Sequence, residues 1–347
     1  MPAPTPEQQE LGRGVRRLLA KRADSAAVRA AMDSPSGYDE ALWRLLCGQV
    51  GAAALPIPEE SGGAGFSLAD ALVVTGEVGY SLAPVPLLSS LVTSAALVTL
   101  PGTDALLARI AAGAVATLVS ASTTAAATGA TEPLHFADGR VSGTIEHVLD
   151  GDTAEILILA AQTAGGVALI SVDPAAALRT HTPAMDPTLR FATLAFDGTP
   201  ATLLADGIVA HAGLAAAHAA GCLSVAALQV GAAQRGLDMT VAYTKERVQF
   251  GRPIGSFQAL KHRMADMLVR VEMARSALYA ATDDAALIHS AAAYCSDALS
   301  HIAAEVIQLH GGIGITWEHD AQLVFKRAHA LGHLFGQPHQ HRALIPL

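Results

Sequence analysis

The chain has 347 residues, 51% of them hydrophobic and only 15% charged, with a formal net charge of −9. That length holds two or three domains. The composition is too apolar for disorder and too sparing of charge for a free monomer, so part of the apolar surface is expected to face another subunit. The acidic balance excludes nucleic acid as a partner, because neutralising phosphates needs a basic face.

The first stretch, "MPAPTPEQQELGRG", has no apolar core and does not read as a signal peptide. Thr5 is placed to cap a helix, with Pro6 at its first position and Gln8 three residues after the cap. Leu11, Val15, Leu18 and Leu19 then recur at helical spacing. Ser67 and Asp70 have the spacing of a second capping box, ahead of an almost wholly apolar helix. Residues 1–112 are therefore assigned to an N-terminal helical domain.

From 113 to 205 the pattern changes. "VATLVSAS", "RVSGTIEHVL", "EILILAAQ", "GVALISVD" and "FATLAFDG" are short β-rich runs divided by turn residues. They predict a small antiparallel sheet or barrel. No helices of the length a parallel sheet needs lie between them. From 206 to 347 helical spacing returns, with Leu260, Met264, Met267, Val271, Ala274 and Leu278 on one stripe and Leu299, Ile302, Val306 and Leu309 on another. Such stripes predict a C-terminal four-helix bundle. Cys47, Cys222 and Cys295 sit in apolar helical patterns and read as reduced thiols of a cytoplasmic protein. The apolar runs are broken before ~18 residues, so no membrane span is expected.

Two segments interrupt the last region. "RVQFGRPIGSFQALKHRMADM" follows a long helical pattern, and "QLHGGIGITWEHD" follows another about 60 residues later. With the helix–sheet–helix order, these segments resemble the acyl-CoA dehydrogenase family over most of the chain. The resemblance implies that fold, α,β-dehydrogenation of an acyl-CoA thioester, FAD as cofactor and electron-transfer flavoprotein as acceptor. It also implies that the two segments reach across a subunit interface to hold the ADP half of an FAD whose flavin lies in the neighbouring subunit. The residue chemistry suits that role. Arg247 offers a planar fork of donors to a pyrophosphate. Gln249, Gln258 and Gln308 fall in the same segments, and the amides of Gln249 and Gln258 can donate. Phe250 can pack on an adenine or ribose. Gly311 and Gly312 leave backbone free to approach a phosphate.

The family's base is a glutamate that takes the α-proton of the thioester while the β-hydride leaves for the flavin. Counting from Arg327 along "RAHALGHLFGQPHQHRALI", Gly336 falls at one of its two usual positions. Counting back from Arg247, Gly221 falls at the other. Neither glycine can accept a proton, so the chain carries no catalytic residue at these positions. The loop that meets the flavin in the family is matched here by "VSASTTAAATGATEP", which lacks its Gly-Ser-Asp. The pattern is similar to the non-catalytic subunit of heteromeric bacterial dehydrogenases of steroid catabolism. It implies an α2β2 assembly in which a related subunit bears the glutamate. A homo-oligomeric dehydrogenase with an unrecognised base, or a non-enzymatic structural relic, are the other readings.

His329, His333, His339 and His341 cluster near the C-terminus without an acid or cysteine at ligand spacing, so no metal site is assigned. Cys222, with His218 one turn before it, would need more than that histidine to act as a nucleophile.

Overall fold

The computed structural model describes residues 4–120 and 133–345. Six helices come first: α1 (Pro6–Arg22), α2 (Ser25–Met32), α3 (Glu40–Leu45), α4 (Leu68–Ser81), α5 (Leu87–Leu97) and α6 (Asp104–Ala111). The two capping boxes form as their spacing predicts. Gln8 N–H donates to Thr5 Oγ1, and Gln8 Oε1 accepts from Thr5 N–H. Ser67 and Asp70 exchange the same pair of bonds at the start of α4. Every residue of α5 except Ala95 is buried. Its hydroxyls turn inward, as when Ser89 Oγ donates to Asp150 Oδ2 at 2.6 Å.

The strands are β1 (Ala116–Val119), β2 (His135–Ala137), β3 (Arg140–Leu149), β4 (Ile156–Thr163), β5 (Gly166–Val172), β6 (Leu178–Thr182) and β7 (Phe191–Asp206). Their pairings run β4-β2-β3-β7-β5 and return through β4–β5, which closes a small barrel, with β1 added on β4 and β6 on β7. Closure removes the exposed edges an open sheet would present. The sheet is not purely antiparallel: β1 runs parallel to β4, and β2 meets β4 in parallel at His135–Gln162. Those pairings join strands distant in sequence, which the alternation within each run does not encode.

Helices resume with α7 (Gly207–Glu246). A two-residue ribbon follows, β8 (Val248–Gln249) with β9 (Arg252–Pro253), and then α8 (Gln258–Asp283), α9 (Ile288–His310), α10 (Ala321–Leu331) and α11 (Pro338–Ala343). The 40-residue α7 packs against α4, α5, α8, α9 and α10 and is the axis of the bundle. It is long and apolar enough, by length and composition, to cross a membrane, because its glycines are carried within one continuous helix and do not break the apolar run. Half of its most apolar window is buried by those neighbours, which is the place of a core helix. The three cysteines are free thiols.

One buried ion pair ties the bundle to the barrel. Arg327 of α10 donates through Nε to Asp186 Oδ2 at 2.8 Å and to Thr188 Oγ1 at 3.0 Å, with Arg327 and Asp186 both sealed from solvent. A desolvated pair of this kind is stable only while both charges and their hydrogen bonds are present. It therefore anchors the second half of α10 to the loop between β6 and β7.

Candidate cofactor and substrate site

The two singled-out segments come to the same end of the bundle. Tyr243, near the end of α7, stacks on His310, the last residue of α9, with ring centroids 4.5 Å apart. Arg263 near the start of α8 pairs with Glu305 near the end of α9. The first corner turns on Phe250 and Gly251, both at positive φ (52° and 76°), the signature of a type I′ hairpin turn. A phenylalanine in that region is strained, and here the residue is 91% exposed, with its ring near-perpendicular to that of Phe257. Arg252 lies 4.1 Å over the Phe257 ring. Gln249 donates to the Val248 carbonyl, and Gln258 meets His262 at 3.0 Å. The side chains of Arg247 and Gln308 have no polar partner within the described chain.

At the second corner α9 ends on Gly311, whose φ of 63° and ψ of −146° suit glycine alone. Its N–H closes back on Gln308 and Ile307, so it forms the turn rather than offering a free donor. Nothing lies within 4 Å of where a side chain would project at Gly311 or Gly312. An unpaired guanidinium, a strained outward ring and an open glycine turn fit the ADP half of FAD. The guanidinium has no polar partner within the described chain.

Gly221 and Gly336 converge elsewhere. A Cβ added at Gly221 would run into the ring of Phe335. Phe335 is buried and sits at φ 57°, beside Gly336 at φ 116°. A β-carbon at Gly336 would lie 3.0 Å from His341 Nε2. The side chain facing α7 at this place is thus Phe335, one residue before the glycine reached by counting. Around it stand Cys222, His218 and His341, and behind them His289, whose Nδ1 is 3.0 Å from His341 Nδ1. No carboxylate touches this group among the described residues. Cys222 Sγ is 3.5 Å from His218 Nε2, but burial pushes the thiol up to about 12 and the imidazole down, so the pair holds no thiolate. Among the described residues, no three His, Cys, Asp or Glu side chains are grouped to hold a metal ion.

Burial lowers the His341 imidazole to about 4 from its usual 6.5, and the neighbouring His289 and His218 push the same way. The folded chain thus favours neutral His341. Its contribution to stability is complete above pH 6.5 and is lost as pH falls toward 4. Thermal unfolding should show a Tm that falls over that window, and His341→Gln should flatten it. An unchanged slope in the variant would mean that other groups set the acid limit.

Sequence spacing located both corners. It did not point to Phe335, or to His289, which meets His341 from 52 residues away in the chain. The only local hint was the Phe-Gly pair in "LFGQ". The loop matched to the flavin-facing segment falls largely outside the described residues.

Residues 5–117 match the family model for the acyl-CoA dehydrogenase N-terminal domain, and residues 216–345 match that for the C-terminal domain. The chain is 46% identical over 341 residues to acyl-CoA dehydrogenase IpdE2 of Mycolicibacterium smegmatis, covering 96% of each. The ChsE4–ChsE5 complex from Mycobacterium tuberculosis is similar with a TM-score of 0.87 at 25% identity, covering 98% of this chain and 96% of that one. A variant of the Tcur3481–Tcur3483 steroid ACAD gives 0.86 at 28% identity, covering 97% and 96%. The protein belongs to the acyl-CoA dehydrogenase family of FAD-dependent oxidoreductases.

Proposed function

We propose that this chain is the FAD-completing, non-catalytic subunit of a two-subunit acyl-CoA dehydrogenase, in an α2β2 assembly with a related, glutamate-bearing partner. The observation that carries this is the filling of the base position: Gly221 faces the Phe335 ring, and no carboxylate touches that group among the described residues. A general base must lie within hydrogen-bond reach of the proton it removes.

The length of α7 supports the same reading. Gly221 lies about 26 residues before Arg247, roughly 39 Å along the helix at 1.5 Å per residue. That is further than one extended dinucleotide reaches, so the corner that suits ADP serves a flavin outside this subunit. In that assembly Arg247 would face the pyrophosphate, with Gln249, Gln258 and Gln308 as nearby amides and Phe250 against the adenosine. Gly311 and Gly312 would give the phosphates close access to backbone. FAD supplies the hydride acceptor when bound. The partner's glutamate would take the α-proton, and electron-transfer flavoprotein would be the onward acceptor. The likeness to two-component assemblies, one of them named a steroid dehydrogenase, supports a thioester of steroid origin as substrate.

Co-expression with a related glutamate-bearing subunit tests the proposal. The purified pair should be yellow and should bleach when a suitable acyl-CoA is added. A colourless pair, or a yellow pair that no thioester bleaches, would favour a structural role.

A further inference from the structure

We infer that Asp320 is a positioning residue for FAD: it holds the glycine corner at 311–312 from behind, through α2 and α7, without touching the cofactor, a role that rests on the proposal above for what the corner binds. The corner leaves α9 at Gly311 and rejoins the bundle at α10. Between these points its own hydrogen bonds are local. Thr316 N–H donates to the Ile313 carbonyl at 3.1 Å, and Ala321 N–H donates to His319 Nδ1 at 3.1 Å. Among the described residues, the hydrogen bonds that tie residues 312–320 to distant parts of the chain converge on Asp320. Ser25 Oγ donates to its Oδ1 at 2.5 Å and Arg29 Nη2 to the same oxygen at 3.1 Å, both from α2. Arg235 Nη2 of α7 donates to Oδ2 at 3.3 Å. With both oxygens engaged and the side chain only 14% exposed, this carboxylate serves the fold of the corner and not a ligand.

Arg29 also lies 5.4 Å from the centre of the Trp317 ring, so one arginine braces the corner at two residues. From the other side, the His319 ring centroid is 4.7 Å from that of His310, which is buried and stacks on Tyr243. Asp320 and His319 together tie the second corner to α2, to the middle of α7 and to the end of α7 that leads into Arg247. A corner held in this way binds without first having to be ordered, and that gain appears as affinity.

The FAD affinity of this chain purified with its partner subunit tests the role, read from the fluorescence of released flavin. Asp320→Asn keeps the size of the side chain but removes the charge shared by Arg29 and Arg235. It should raise the Kd for FAD about tenfold, the effect of weakening one charged hydrogen bond. Asp320→Glu, which restores the charge, should recover part of the loss. Arg29→Gln should act in the same direction and add little to Asp320→Asn, because the two work through one contact. At saturating FAD, bleaching by an acyl-CoA should run at the parent rate, and the Tm of the FAD-free complex should fall by a few degrees at most. If Asp320→Asn does not fold, Arg29→Gln and Ser25→Ala carry the comparison with the carboxylate intact.

A lowered Tm with no change in the Kd for FAD would overturn the role and leave Asp320 as a purely structural residue. Slower bleaching at saturating FAD with unchanged affinity would also overturn it. Arg247→Ala, measured alongside, separates the two levels. If it weakens FAD binding and Asp320→Asn does not, only the role of Asp320 falls. If Arg247→Ala leaves the Kd unchanged as well, the corner does not hold FAD, and the functional proposal falls with it.

Discussion

Arg247→Ala is expected to strip FAD from the assembled enzyme while leaving both subunits folded. The Arg247 side chain is exposed and makes no bond within the described chain, so its removal costs the fold little, about 0.5 kcal/mol or less. Truncating one member of a hydrogen-bonded charge pair costs about 2–5 kcal/mol, a weakening of roughly 30-fold to several thousand-fold. Arg247→Lys should fall between, because an ammonium keeps the charge but not the planar fork. Flavin absorbance after desalting, beside a thermal melt, separates loss of cofactor from loss of fold. Full flavin occupancy in Arg247→Ala would mean that the corner does not hold the pyrophosphate.

The second large effect concerns turnover. The purified chain alone should show no acyl-CoA dehydrogenase activity, and the pair should gain it. Replacing the partner's glutamate should abolish turnover and spare FAD. General base catalysis typically contributes ~10²–10⁴-fold, yet Gly336→Glu in this chain should recover almost none of it. The backbone there is at φ 116°, a region unfavourable to glutamate, and His341 crowds the position. Dye reduction driven by a thioester measures this directly. Appreciable activity from the isolated parent chain would point to a homo-oligomeric enzyme with its base elsewhere.

Much of the fold was legible because it rests on local rules. The capping boxes at Thr5 and Ser67, the alternation of the strands and the helical stripes of α8 and α9 are written in neighbouring residues. The corners were legible for a related reason: a turn at Phe250–Gly251 and a helix end at Gly311 each need glycine at or next to the bend. What escaped reading depends on contacts between distant residues. Barrel closure joins β4 to both β2 and β5. The contact of Gly221 with Phe335 joins residues 114 positions apart. Spacing along the chain leads to Gly336 but does not encode that the neighbouring Phe335, at φ 57°, turns its side chain toward Gly221 of α7.

The count of FAD per assembled complex tests the central claim most directly, with flavin measured by absorbance after denaturation and protein by subunit mass. One FAD for each pair of unlike subunits is the result predicted by the proposal that this chain's ADP corner serves the partner's flavin. Two FADs per pair, or a flavin-loaded and active assembly of this chain alone, would contradict it.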